Sequence, residues 1–494
     1  MTDWYHRLIS FVFAALITVS TVATETSPLN ILLFTADDLG YEVMSDPLDV
    51  TPNLDKFARE GIRFNRAHMN MPICQPSRGI IATGRYGQTT GMMGFFHLRE
   101  PVPTVMQTLR DHGYATGVLG KVKHSTPDEN YQWDYAQDYR ELGAGRDPEK
   151  YHTYSVEFFN QCKKADKPFY FMVNSHDPHR PFHDPERPKA AAAKPSKLFK
   201  PSDIRVPSYL PDLPGVRREI SHYYNSVRRL DDTFGRVMDA LDESGLAQNT
   251  LVMFVSDNGS AFPFAKANAY VPSTLTPCYM RWPGKIEPGS VDKKHFVSSI
   301  DFLPTFLEAA GVPVPKGVDG RSMVPLMRGE SMEGRDVVFT QIDYKIGGPA
   351  SPMRAIENER YRYIFNPWAG EDYRYRNNNE GETMRAMEAA ADTNIAIAER
   401  VRVYRHRDLE EFFDLTSDPD CIHNLVHSPE AKTQVDAMRL QLEEWMKKTG
   451  DPLLPAFAAR NSSLQMKEAL EKHYPKKTDL RTDQQKAKDK ARPE

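Results

Sequence analysis

The sequence predicts a doubly wound α/β domain with a mostly parallel sheet, followed by a smaller C-terminal α+β domain with an antiparallel sheet. Three observations carry this. Short apolar runs alternate with amphipathic segments through most of the chain, acidic pairs stand at the ends of two of those runs, and hairpin-like patterning takes over past residue 335. The 494 residues also exceed one ordinary compact domain of ~100–200 residues.

Taken in order, His6 and Arg7 precede an apolar run from Leu8 to Val22, and Thr21-Val22-Ala23 offers small residues for cleavage. Residues 1–23 therefore read as a secretory signal peptide, the run being short of the ~20 residues that span a bilayer. An exported protein is expected, periplasmic or secreted, with no stable membrane association once the signal is removed. Residues 24–335 form the larger domain. Asn30 to Thr35 reads as a buried strand ending in Ala36-Asp37-Asp38-Leu39-Gly40. Thr51-Pro52 is an N-cap and a first-position proline for a helix that stops at Gly61. A helix over Thr104 to His112 and strands over Ala115 to Leu119 and Phe169 to Asn174 follow. The proline-rich stretch 185–214 reads as a long surface excursion. From Glu219, Ile220, Tyr223, Val227, Leu230, Phe234, Val237 and Leu241 step by three and four, so a helix packs one face on the sheet and ends at Gly245. Leu251 to Val255 is a strand running into Ser256-Asp257-Asn258-Gly259. Ligands of such sheets sit beyond the carboxyl ends of the strands, where both acidic pairs fall. In residues 336–475, Met353 to Asn358 and Arg360 to Phe365 read as a hairpin, Glu411 to Leu415 as a strand and Ala431 to Lys448 as a closing helix. Residues 476–494 lack an apolar face and read as a disordered tail.

Composition narrows the function. Forty per cent hydrophobic and 26% charged residues are globular, which excludes whole-chain disorder, collagen-like repeats and coiled coils. A net charge of −4 gives no reason to expect a nucleic-acid partner, so an anionic substrate must be caught by a local cluster. Four cysteines (Cys74, Cys162, Cys278, Cys421) are too few for a disulfide scaffold, and none forms a Cys-x-x-Cys zinc pair. Pairing among Cys162, Cys278 and Cys421 stays open. Asp37, Asp38, Asp257 and Asn258 offer only hard oxygen ligands, a set suited to Ca²⁺ or Mg²⁺ and poor for zinc. Taken singly each pair is an ordinary turn; taken together they point to a metal site. Cys74-Gln75-Pro76-Ser77-Arg78-Gly79, followed by Thr83-Gly84-Arg85, opens a predicted helix with Arg78 about one turn on, where positive potential stabilises an anion.

That segment resembles the Cys-x-Pro-Ser-Arg motif of the type I, formylglycine-dependent sulfatases. The resemblance implies an alkaline-phosphatase-like fold and oxidation of Cys74 to formylglycine by a maturation enzyme. It also implies one Ca²⁺ held by Asp37, Asp38, Asp257, Asn258 and the modified Cys74. Gly120-Lys121-Val122-Lys123-His124 is similar to the family's Gly-Lys-x-His element with one extra residue. Lys121 and Lys123 are thus alternatives for the catalytic lysine, with Lys121 favoured because it follows the glycine, and His124 is the family histidine either way. Ser175-His176-Asp177-Pro178-His179 matches the family's His-x-Pro-His segment, and Lys266 takes its second cationic position. The implied roles are charge neutralisation by the metal, Lys121 and Lys266, leaving-group protonation by His176, proton removal by His124, and orientation of the nucleophile by Arg78. His179 reads equally as a substrate ligand or as a structural histidine. Phe412-Phe413-Asp414-Leu415 and Asp418-Pro419 resemble the closing strand and turn of the family.

His176-Asp177-Pro178-His179-Arg180, Ser256-Asp257-Asn258-Gly259 with Phe262-Pro263, and Pro352-Met353-Arg354 resemble the heparan N-sulfatase subgroup, although Lys266 stands where that subgroup tends to have arginine. The expected substrate is a sulfated carbohydrate, first an N-sulfoglucosamine. Arg180 and Arg354 either grip a second anionic group or pair with carboxylates. The alternatives are an O-sulfatase on sulfated polysaccharide or aryl sulfates, a phosphonate or phosphodiester hydrolase of the wider superfamily, and a carbohydrate-binding protein with a dead site. The oligomeric state stays open.

Overall fold

The computed structural model describes residues 28–474 apart from 46, 99–100, 346–349, 371 and 378. The expected signal peptide and terminal tail lie outside the described residues. An eight-stranded sheet runs in the order Tyr135–Gln137, Ala115–Leu119, Phe169–Pro178, Asn30–Asp37, Thr250–Ser256, Cys278–Arg281, Ile62–Phe64, Ser290–Asp292. The first five are mutually parallel, and only Cys278–Arg281 opposes its neighbours. The sheet is doubly wound because its central strands are apolar on both faces. Leu32 and Phe34 join one core with the helices Pro148–Ala165 and Pro214–Glu243, while Ile31 and Leu33 join another with Val105–Asp111 and Phe302–Ala309.

Several elements extend past their expected ends. Phe169–Pro178 continues beyond Asn174 because its pairing with Asn30–Asp37 resumes, after an irregularity, as Asp37 against Pro178. That extension lays Ser175 to Pro178 beside the acidic pair. The long helix starts at Pro214, five residues before Glu219, with the proline in its first turn. The helix Pro52–Arg59 begins after Thr51 as expected, yet Thr51 makes no side-chain cap. Asp231 does so from the long helix, accepting from the Asn53 and Leu54 N–H groups at 3.1 and 2.9 Å. The proline-rich excursion carries a 3-10 turn at Pro201–Asp203, and Phe199, Ile204, Tyr209 and Leu210 anchor it in the core.

The C-terminal strands Val337–Ile342, Met353–Asn358, Tyr361–Phe365 and Glu410–Asp414 form an antiparallel sheet in that order. The helix Lys432–Thr449 packs Val435, Met438, Leu442 and Trp445 against it. Two helices not anticipated from the sequence, Gly381–Ala391 and Ile395–His406, fill the connection before the last strand. All four cysteines are free and buried. Among the described residues no helix is long and apolar enough to cross a membrane.

Candidate active site

The carboxyl ends of Phe169–Pro178, Asn30–Asp37 and Thr250–Ser256 lie side by side, and the helix Cys74–Thr83 points its first turn at them. Every residue of that helix is buried, and no side chain caps it, so the positive end of its dipole stands at Cys74. Cys74 Sγ lies 3.4 Å from Asp37 Oδ1 and 3.2 Å from Lys266 Nζ. One turn on, Arg78 donates through Nε and Nη2 to Asp257 Oδ2 at 3.1 and 2.8 Å. Its Nη1 donates to Thr35 Oγ1 and Asn174 Oδ1 at 2.6 and 2.5 Å. Arg78 is therefore fully committed to the strand ends and sits at the bottom of the site.

Asp257 Oδ1 accepts the Asp38 N–H at 3.2 Å, and Asn258 Nδ2 donates to Asp38 Oδ1 at 2.8 Å. Lys121 Nζ forms an ion pair with Asp37 and Lys266 Nζ one with Asp38. Ligand oxygens of Asp37, Asp38 and Asp257 all lie within 4.8 Å of one another. Asp38 Oδ2 and Asn258 Oδ1 are buried with no hydrogen-bond partner, so two oxygens face the cluster unsatisfied. Burial and the Asp37 carboxylate push the Asp257 carboxyl up, as expected where three carboxylates share one buried space. An all-oxygen donor set with orphaned oxygens and crowded carboxylates fits a hard divalent cation. Burial pushes Asp37 upward too, but Lys121, His179 and Lys266 outweigh it and hold that carboxyl well below its usual range. Burial and Asp37 push the Cys74 thiol up, so an unmodified Cys74 is neutral and a weak nucleophile at neutral pH.

The Gly120-Lys121 turn delivers Lys121. Both residues have positive φ, 68° and 49°, and a Cβ on Gly120 would fall 2.2 Å from the Asn174 carbonyl oxygen. Of the two alternatives, Lys121 is the lysine brought to Asp37, whereas Lys123 is exposed. His124 follows on the same turn, with its ring 5.8 Å from that of Phe95. Burial and Lys121 push it down to about 3.

The histidine pair exchanges its expected places. His179, with Asp37 and Cys74, forms a group whose ligand atoms lie within 4.8 Å of one another; among the described residues His176 joins no such group. Nδ1 of His179 donates to the Arg180 carbonyl at 2.5 Å, which leaves Nε2 as its unprotonated nitrogen. His176 instead accepts the Lys121 N–H through Nε2 at 3.2 Å, behind the lysine. The strand end explains this. Asp177, between them, is buried and gripped by Arg146 and Arg229, and it anchors the segment.

Arg180 and Arg354, for which the sequence left an anion grip and carboxylate pairing as alternatives, both lie on carboxylates of the chain. Arg354 is fully buried, with its guanidinium on Asp343 and Asp451 in the C-terminal part of the chain. Arg180 pairs with Glu219 and donates to the Ala261 carbonyl. Both guanidiniums are spent on internal partners. Sequence reasoning missed Thr35 and Asn174, which seat Arg78, and Tyr223, whose hydroxyl donates to the Asp38 carbonyl at 2.9 Å. A threonine and an asparagine at the ends of otherwise apolar strand runs were the available signal.

Residues 29–312 match the sulfatase family. The chain belongs to that family. Residues 261–373 also match the family described as N-sulphoglucosamine sulphohydrolase, C-terminal. The human N-sulphoglucosamine sulphohydrolase is 27% identical over 464 residues, covering 86% of this chain and 91% of its own. An ulvan-active sulfatase of Formosa agariphila is 29% identical over 432 residues, covering 86% and 81%. The solved structure of BT4656 with its substrate D-glucosamine-2-N,6-O-disulfate superposes with a TM-score of 0.64 at 19% identity, over 86% of this chain and 98% of that one. This sulfatase thus has the alkaline-phosphatase-like fold and is a sulfuric ester hydrolase.

Proposed function

We propose that this sulfatase releases sulfate from a sulfated carbohydrate, first a sulfamate on glucosamine, with formylglycine derived from Cys74 and a divalent cation, calcium. The observation that carries the reading is Cys74 held at a helix N-terminus between Asp37 and Lys266, over the converging oxygens of Asp37, Asp38, Asp257 and Asn258. Oxidised Cys74 would supply the attacking oxygen, and the cation held by those four residues would supply positive charge at the sulfate. The chain's own residues do the rest. Lys121 and Lys266 bring two ammonium groups to the non-bridging oxygens, in a buried setting where fixed charge counts most. Arg78, locked by Asp257, Thr35 and Asn174, places a fixed positive charge one turn along the helix from residue 74. His179, rather than His176, presents an unprotonated Nε2 beside position 74, which would take up the proton of the attacking hydroxyl and return it to the departing nitrogen or oxygen. His124 is the partner for proton removal as the sulfate leaves.

The N-sulfate preference is supported by the match of residues 261–373 and by the human relative. An O-sulfatase acting on a sulfated polysaccharide is the second reading, favoured by the ulvan-active relative. The leader-like residues 1–23 support action outside the cytoplasm. The test is inorganic sulfate release by protein co-expressed with a formylglycine-generating enzyme, beside Cys74→Ala. Release that disappears in the variant is expected; equal release from both would overturn the proposal.

A further inference from the structure

Lys266 sits on a strap, residues 261–270, that no helix or strand supports until Val271. Two of its non-glycine residues, Phe264 and Ala267, are left-handed at φ 70° and 55°, so the strap holds its shape only if something outside it does the holding. Its carbonyls show what does. The Lys266 carbonyl accepts Asn377 Nδ2 at 3.1 Å and Asn268 Nδ2 at 2.7 Å. The Ala267 carbonyl accepts the Tyr375 hydroxyl at 2.7 Å, and the Ala269 carbonyl accepts Arg362 Nε at 2.6 Å. Arg407 donates to Asn268 Oδ1 and, at 2.6 Å, to the Tyr270 hydroxyl, from among the rings of Phe264, Tyr270, Tyr375 and Tyr404.

Asn377 is oriented for this task. Its Oδ1 accepts both the N–H and the side-chain amide of Asn379, at 2.8 and 2.7 Å, which fixes the amide with Nδ2 toward Lys266. Asn377, Tyr375, Arg362 and Arg407 all come from the part of the chain past residue 336. Asn377, Tyr375 and Arg362 hold the backbone of the strap on which Lys266 stands, and Arg407 holds its Asn268 and Tyr270 side chains.

We infer that Asn377 is a positioning residue for Lys266, and that the C-terminal part of the chain completes the active site by clamping the Lys266 strap. The inference rests on Lys266 acting as proposed above. The test is a double-mutant cycle on the matured enzyme, with Asn377→Ala and Lys266→Ala alone and combined, reading kcat/KM for sulfate release and Tm in each. Asn377→Ala is expected to lower kcat/KM about tenfold in the natural background and less than twofold when Lys266 is already absent, with the same Tm shift in both. An equal fall in the two backgrounds, or none in either, would overturn the positioning role alone. Full activity in Lys266→Ala would overturn the catalytic reading of Lys266 and the clamp with it. Tyr375→Phe, which removes only the hydroxyl on the Ala267 carbonyl, goes through the same cycle if Asn377→Ala fails to fold, and the same outcomes decide. A readout apart from turnover is acylation of the Lys266 amine followed by peptide mass spectrometry. Faster labelling in Asn377→Ala is expected, and an unchanged rate would count against the clamp.

Discussion

His176 and His179 are three residues apart on one strand end, yet only His179 turns a ring nitrogen toward Cys74, because Asp177 is pinned between two arginines and Lys121 takes His176 from behind. His179→Gln should therefore lower kcat by about a hundredfold or more, the ordinary range for losing a proton-transfer group, while His176→Gln costs about tenfold or less. Steady-state rates of the two variants decide this, and the reverse order would restore the first histidine to the acid role. Cys74, the oxygen-bearing residues Asp37, Asp38, Asp257 and Asn258, and Lys266, which the structure brings together, were singled out as motifs in the sequence, whereas Lys121 was one of two alternatives there. Which histidine faced inward was not legible, because it depends on a register irregularity and on a salt-bridge partner, Arg229, that lies 52 residues from Asp177.

The helix Pro52–Arg59 and the two-residue strand Ala67–His68 show how elements borrow their stability from distant chain. Asp231 caps the helix from the long helix Pro214–Glu243. Asp231→Ala should cost about 2 kcal/mol of stability, a lost cap with two orphaned N–H groups, and leave kcat unchanged. Chemical denaturation beside initial rates would show it. His68 is buried against Glu357 of the antiparallel sheet and bonds Thr274 through Nδ1 at 3.0 Å. Burial pushes its pKa down to about 4, with Glu357 offsetting only part. An unfolded chain takes up this proton near 6.5, so the contribution of His68 is whole above about pH 6.5 and is lost as pH falls to about 4. The loss is on the order of 3 kcal/mol at most. Tm should fall across that window, and His68→Gln should flatten the slope; an unchanged slope would contradict the assignment. The strands and the long helix could be read from the sequence because their periodicity is strong. Gly381–Ala391 and Ile395–His406 could not, because few of their residues are buried and they lean chiefly on the long helix and on one another.

Across the whole molecule, the antiparallel sheet and its helices do more than close the chain. Arg354 ties Met353–Asn358 to Asp343, Asp451 and the Tyr474 hydroxyl. Removing it would leave two carboxylates buried without a counter-charge. Arg354→Ala should cost about 3–5 kcal/mol and leave KM for a sulfated sugar unchanged, measured by denaturation and by steady-state kinetics. A raised KM in a stable variant would return Arg354 to substrate binding. The mostly parallel, doubly wound sheet, with both acidic pairs at the carboxyl ends of its strands, was legible at this scale. The dependence of the Lys266 strap on residues more than 100 positions later was not, since a contact of that kind leaves no local pattern. The measurement that bears most directly on the central claim is the release of sulfate from N-sulfoglucosamine beside 6-O- and 2-O-sulfated sugars, an aryl sulfate and a phosphonate ester, using protein whose Cys74 conversion has been confirmed by peptide mass. Release chiefly from the N-sulfated sugar, absent in Cys74→Ala, is predicted; release only from O-sulfated substrates or from the phosphonate would contradict it.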